Sequence, residues 1–365
     1  MDIEDTAEKV SRVALVFSSA LFFLLVSLIM LSMEEVISAF GGHSSWQVSI
    51  YEKMLLTMEI FFAALCLLQA ALHLYTRWAA AKGFVSENLK MQVVGTHIVA
   101  LSAWLMYAMF YGLAPMSAST SVKVILSTYL AYAVLVGLRT YSEANGARIV
   151  ELVRRLVKKD AWALTLLGGG LVLYLSFLSC SLSEWDSFNF AQALGRFDLG
   201  THQPHPPGYS LYVFLSKMVL AAVGDRVLAL TSVSAVSGAL CLLPVYVVVK
   251  KMHDPQTAVV TCLALMSTRM FWLASEKAIT HMFGTFLMTS AICLLYLGLA
   301  GKRNFFLMSW PAVGLALGAR PSYFPFLGLW VYGTIRYRDL RRLPIYLALF
   351  SCSLLSWLVP TILLT

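Results

Sequence analysis

Ser183-Glu184-Trp185-Asp186-Ser187-Phe188-Asn189-Phe190, continuing through His202-Gln203-Pro204-His205-Pro206-Pro207-Gly208-Tyr209, is the one long polar stretch in a chain otherwise built of apolar runs. Carboxylates, histidines and prolines directly after an apolar run of spanning length place titratable groups at a lipid-water boundary. The runs on either side decide the fold. Segments of about 20 apolar residues recur along the chain, the length that crosses roughly 30 Å of hydrocarbon with every backbone hydrogen bond closed inside a helix.

The expected fold is therefore all-α and polytopic, with about eleven transmembrane helices. The runs lie near 12–32, 54–75, 93–113, 123–140, 161–181, 226–249, 256–275, 281–300, 304–318, 322–336 and 343–364. Apolar residues make up 59% of the chain and charged ones 13%, more apolar surface than one soluble core would bury. The net charge of +8 comes from basic residues in short loops between spans, which fits lipid orientation and not nucleic-acid binding. Cys66, Cys180, Cys241, Cys262, Cys293 and Cys352 are scattered singly in apolar sequence, without disulfide or zinc spacing, and read as small packing residues. The first run is long and follows acidic residues (Asp2, Glu4, Asp5, Glu8), so it is expected to stay as an anchor and not to be cleaved.

With the N-terminus inside, the loops bearing Lys9 and Arg12, then Arg77, Lys82 and Lys90, then Arg139 to Lys159 are cytoplasmic. So are Lys250-Lys251, Lys302-Arg303 and the cluster Arg336, Arg338, Arg341 and Arg342. Nineteen of the 27 Lys and Arg then lie inside, seven outside and Arg269 within a span, the asymmetry expected of this orientation. The count requires that Leu211 to Val223 does not cross; it is short for a span, carries Lys217, and reads as a helix in the interface. The whole loop 183–225 is then extracytoplasmic. Ser275-Glu276-Lys277 through His281 and Ala319-Arg320-Pro321-Ser322-Tyr323 fall on the same side, and ionisable groups near hydrocarbon point to a functional cavity.

Glu184 and Asp186 diverge on a helix and share a side in an extended segment, so one of them is expected to face a pocket. An isolated acid there serves equally well as a cap; in this surrounding, Asp186 is the better candidate for a general base on a hydroxyl. The prolines around His202 and His205 forbid regular helix and hold both imidazoles on a stiff turn. They could ligate a divalent metal, bind a phosphate or sugar hydroxyl, or only tie the loop to its neighbours. Arg269, Trp272 and Glu276 are spaced to line one helix face, with Lys277 and His281 a turn apart on the next. Arg269 and Arg320 have the donor geometry that a phosphate needs, although either could simply snorkel. Glu59, His73 and His97 stand alone and read as structural, and Gly168-Gly169-Gly170 as a close helix contact.

Glu184-Trp185-Asp186-Ser187, then His205-Pro206-Pro207-Gly208-Tyr209 opening an apolar helix, then Ser275-Glu276 and Ala319-Arg320-Pro321, together resemble the GT-C superfamily of membrane glycosyltransferases, especially its protein O-mannosyltransferase and aminoarabinose transferase branch. The resemblance covers 161–365. It implies transfer of a sugar from a polyprenyl- or dolichyl-phosphate donor to a hydroxyl of a protein, lipid or glycan. Asp186 would be the base, with Glu184 beside it; Arg269 and Arg320 would hold the leaving phosphate, and His202, His205, Tyr209, Glu276, Lys277 and His281 would line the substrate site.

Residues 1–150, expected as four membrane helices, match nothing in that pattern and read as an appended module. The basic stretch Arg148 to Lys159 is either an amphipathic helix on anionic lipid or a charged linker. The family usually continues beyond the point reached at Thr365, which invites an additional subunit. The alternative reading is a non-catalytic GT-C-like subunit of a membrane complex, or a lipid-linked-sugar transporter. A secondary transporter fits less well, because the ionisable groups collect at one face and no internal repeat is visible.

Overall fold

The computed structural model describes residues 87–113, 161–337 and 340–363, with single positions at 18, 64, 68, 69, 71 and 75. The run near 123–140, most of those near 12–32 and 54–75, Glu59, His73 and the basic stretch 148–159 lie outside the described residues. In chain order the α-helices are α1 (Glu87–Leu113), α2 (Ala161–Ser176), α3 (Trp185–Ala193), α4 (Ser210–Val223), α5 (Arg226–Met252), α6 (Pro255–Ser267), α7 (Arg269–Glu276), α8 (His281–Leu299), α9 (Arg303–Ala319), α10 (Gly328–Tyr337) and α11 (Leu343–Leu363). No strand occurs among the described residues, and His97 lies within α1.

Among the described residues three stretches, Arg226–Met252, His281–Leu299 and Leu340–Leu363, are long and apolar enough to cross a membrane, and α6 with α7, bent by 65°, would make a fourth. Two expected spans differ. The run near 256–275 breaks at Thr268, whose backbone is extended and whose hydroxyl donates to Leu265 O at 2.8 Å. The run near 322–336 opens as a 3₁₀ segment, Pro321–Leu327, and becomes α-helical only at Gly328. Pro321 and Pro325 lack the N–H groups that a continuous α-helix needs.

Helix ends follow local chemistry. Asp225 caps α5 by accepting from Leu228 N at 2.7 Å. Asp254 caps α6 by accepting from Gln256 N and Thr257 N, with Pro255 at the first helical position. Lys250 and Lys251 sit in the last turn of α5, where cations meet the negative helix end.

α5 is the hub: α2, α4, α6, α7 and α8 all pack on it, while α8 pairs with α9, α9 with α11, and α11 with α1. In lipid the helices gain little from leaving water, so close contact and interhelical hydrogen bonds must hold them. Glycines supply the contact: a Cβ at Gly318 would fall 2.7 Å from Trp357, and one at Gly298 would fall 2.6 Å from the Phe306 backbone. Buried rings supply bonds, with Trp357 Nε1 donating to Gly314 O and Trp330 Nε1 to Ser309 Oγ, each at 2.9 Å. Because the obstacle at Gly298 is backbone, Gly298→Ala is expected to force α8 and α9 apart at a cost of roughly 2 kcal/mol. A fall in the thermal midpoint of the detergent-solubilised protein would register it; an unchanged midpoint would mean that the hairpin yields freely.

The Leu211 to Val223 helix packs inward at its start: Ser210 through Phe214 of α4 are buried against neighbours that include α1, α5, α9 and α11, while Ala221 to Val223 at its end are exposed. Burial pushes the Lys217 ammonium down to about 8.

The antiparallel course of the helices creates two chemically distinct ends. One carries Lys250, Lys251, Lys302, Arg303, Arg336, Arg341 and Arg342. The other collects the ends of α2, α7, α9 and α11 with the starts of α5 and α8, and there the 183–225 loop closes over the bundle. Thr361 Oγ1 near the end of α11 donates to Ser210 Oγ at 2.5 Å.

Candidate functional site

Glu184 stands in extended conformation before α3, and its carbonyl accepts from Ser187 N at 3.0 Å. Its side chain makes no cap. It reaches instead to the segment between α7 and α8, where Lys277 Nζ donates to Glu184 Oε1 at 2.5 Å. Asp186 lies in the first turn of α3, where the helix dipole favours a carboxylate. Both acids thus join the same group of residues through different partners, where the sequence reading expected one.

Asp198 and Gln203 exchange backbone hydrogen bonds at 2.6 and 2.8 Å, closing a small loop. His202 sits in that loop with φ 58°, exposed, and no contact joins it to the other candidates among the described residues. His205 is held differently. Its ring is 5.1 Å from that of Tyr209 and 5.6 Å from that of Phe190, and its Nδ1 lies 3.8 Å from Asp186 Oδ1. That separation is too long for a hydrogen bond, and Nδ1 is screened from solvent with no partner.

Tyr209 itself adopts φ 45°, a left-handed conformation costing a non-glycine residue roughly 1–2 kcal/mol. The ring cluster and the turn before it hold this conformation in place. Gly208, at φ 99°, leaves no room for a Cβ, which would meet Thr361 at 2.9 Å. The Tyr209 phenol is pushed up by burial and by Asp186, with Arg320 opposing, so it stays protonated and available as a donor.

Arg320 ends α9 in extended conformation. Its aliphatic stem crosses Gly284 of α8, where a Cβ would fall 2.7 Å from Cγ, and its guanidinium lies over the Tyr323 ring at 5.9 Å. Tyr323 and Thr285 hydroxyls meet at 3.2 Å and fix the 3₁₀ segment to α8. His281, one turn before Gly284, lies within electrostatic reach of Arg320, Glu184, Asp186 and Lys277. Glu276 ends α7, and its carbonyl accepts from Ser179 N at 3.3 Å, tying the exit of α2 to the same group.

The structure therefore gathers Glu184, Asp186, His205, Tyr209, Lys277, His281 and Arg320 at one end of the bundle, with Glu276 at the edge. Two expectations change. Lys277 and His281 share no helix face, because α7 stops at Glu276 and Lys277 is extended. Arg269 opens α7 at the bend, exposed, about 10 Å of helix rise from Glu276, and stands apart from the cluster with His202.

Sequence reasoning missed Phe190, whose ring also meets Tyr212 at 5.2 Å, and Gly284, whose lack of a side chain admits Arg320. The aromatic run around Asn189 hinted at the first; nothing in the sequence marked the second. Among the described residues no three His, Cys, Asp or Glu side chains gather as a metal-ligand set.

The chemistry available is a half-exposed carboxylate beside an imidazole, a protonated phenol, and two cations of which one is already paired. Because Glu184 neutralises Lys277, Glu184→Gln is expected to free that ammonium and tighten binding of an anion several-fold. Calorimetric titration with inorganic phosphate would measure it; weaker binding would mean that Glu184 is what positions Lys277.

Comparisons with protein-family profiles, curated protein sequences and solved structures return no match to this chain.

Proposed function

We propose that the protein is a polytopic glycosyltransferase of GT-C type, which moves a sugar from a polyprenyl- or dolichyl-phosphate donor to a hydroxyl acceptor on the extracytoplasmic face. In this reading about eleven helices cross the bilayer, the basic end of the bundle is cytoplasmic, and the clustered end faces outward. Residues 151–365 form the transferase core. Residues 1–150 are an appended module.

The observation that carries the proposal is the meeting of Asp186 and Arg320, 134 positions apart in sequence, around the half-buried Tyr209 phenol. Attack of an acceptor hydroxyl forms a bond from its oxygen to the anomeric carbon, as the bond from that carbon to the lipid phosphate breaks. The hydroxyl proton passes to Asp186, and the electron pair leaves on the phosphate oxygen. Arg320, with Lys277 and His281, compensates the phosphate charge, and the Tyr209 hydroxyl donates to a sugar or phosphate oxygen. His205, held between the rings of Phe190 and Tyr209, keeps an imidazole beside Asp186.

A lipid-phosphate sugar bearing a photoreactive group in its first isoprene unit tests the location. Crosslinks are expected in α8 and in the segment following Arg320. Crosslinks at the basic end, around Lys302 or Arg341, would contradict the proposal.

A further inference from the structure

Phe306, in the first turn of α9, is where three segments of the basic end converge. Its ring lies 5.0 Å from that of Tyr337 at the end of α10 and 5.2 Å from that of Tyr346 near the start of α11, while its backbone crosses Gly298 of α8. Each segment brings cations to this corner. Lys302 and Arg303 precede Phe306 by one turn, Arg336 adjoins Tyr337, and Arg341 and Arg342 lead into α11. In the sequence these five and Arg338 are answered by a single acid, Asp339, the only one after Glu276. Lys302, Arg336 and Arg341 are exposed, and among the described residues none of them forms an ion pair.

The Tyr337 hydroxyl adds a directional group. It is screened from solvent, yet it has no hydrogen-bond partner among the described residues, which a buried phenol rarely forgoes. α9 starts beside it at Lys302 with no side-chain cap on its first amides. Cations, an unsatisfied phenol and open amides are all donors, and a phosphate group accepts from all three kinds. The apolar surroundings distinguish a lipid from a free anion. From Tyr337 back towards the middle of the bundle, α10 leaves Val331, Tyr332 and Ile335 more than half exposed, so acyl chains have a surface to lie on beneath a headgroup. Lys250 and Lys251, the other cations of this end, are set differently, in the last turn of α5 with Asp254 just beyond them.

We propose that the corner formed by the α8–α9 turn, the end of α10 and the start of α11 binds the headgroup of an anionic phospholipid. Lys302, Arg336 and Arg341 hold its phosphate, and the Tyr337 hydroxyl donates to it. The site lies at the opposite end of the bundle from Asp186 and Arg320, so it stands whether or not that cluster transfers sugar.

Native mass spectrometry of the full chain in detergent, with phosphatidylglycerol and phosphatidylcholine of equal chain length added at equal concentration, tests this directly. The wild type is expected to retain one phosphatidylglycerol in several-fold excess over phosphatidylcholine. Arg336→Gln combined with Arg341→Gln should abolish that excess, whereas Lys250→Gln combined with Lys251→Gln, the same change of charge at the same end, should leave it unchanged. Equal retention of the two lipids by the wild type overturns the proposal. So does an equal loss in the two double variants, because net charge alone would then account for binding. Inorganic phosphate that displaces the lipid as well as added phosphatidylglycerol does would mark a free-anion site and overturn the lipid assignment. Should the arginine variant fold poorly, Tyr337→Phe removes only an oxygen without a partner; it is expected to lower phosphatidylglycerol retention several-fold, and wild-type retention would overturn the proposed headgroup contact.

Discussion

Asp186→Asn is expected to lower sugar transfer by about 10²- to 10⁴-fold, the range associated with loss of a positioned general base. The amide keeps the shape of the carboxylate but cannot accept the hydroxyl proton as attack proceeds. Asp186 lies in the first turn of α3 and its side chain is half exposed, 3.8 Å from His205 Nδ1, so the substitution leaves no buried charge unpaired. The fold and the affinity for donor should be retained. Single-turnover transfer, alongside equilibrium binding of the same donor, separates the two quantities. Retained transfer would remove the role assigned to Asp186, and lost binding would make it a structural residue. His205→Gln should give a smaller loss than Asp186→Asn, since His205 stands beside the carboxylate without a hydrogen bond to it.

Arg320→Gln is expected to reduce kcat/KM by about 10²- to 10³-fold, the scale observed when one preformed donor to developing negative charge is removed. Lys277 cannot substitute fully, because Glu184 already holds it. Arg320→Lys should recover part of the loss, as an ammonium restores charge but not the planar donor fork. Gly284→Leu supplies the positional control. It leaves the guanidinium chemically intact and occupies the space that its stem crosses, so transfer should fall while the pH profile keeps its shape. Wild-type rates in Arg320→Gln would contradict an anion-stabilising role for this residue.

Part of the end-to-end arrangement was legible because apolar helices running back and forth through one bundle place alternate polar gaps at the same end. Glu184 and Lys277, far apart in sequence, meet for that reason. The pairings were not legible. Periodicity put Arg269, Trp272 and Glu276 on one helix face, which α7 keeps, and Lys277 with His281 on the next, which the extended backbone at Lys277 undoes by sending Lys277 to Glu184. The packing of α4 was not legible for a related reason. A helix as apolar as α4 has no distinctive polar face, so its sequence does not distinguish lipid, interface and protein as surroundings. Contacts with α1, α5, α9 and α11 bury its first turn and leave Ala221 to Val223 exposed. Close approach across Gly284 depends on side-chain placement that no local pattern encodes.

The most direct measurement is release of free polyprenyl phosphate from a lipid-phosphate sugar by the full chain, reconstituted in vesicles with a hydroxyl acceptor on the side of the clustered end. The account predicts release matched one for one by glycosylated acceptor, and lost in Asp186→Asn. Donor bound at the cluster yet left intact by the wild-type protein, across a panel of sugars and acceptors, would contradict it.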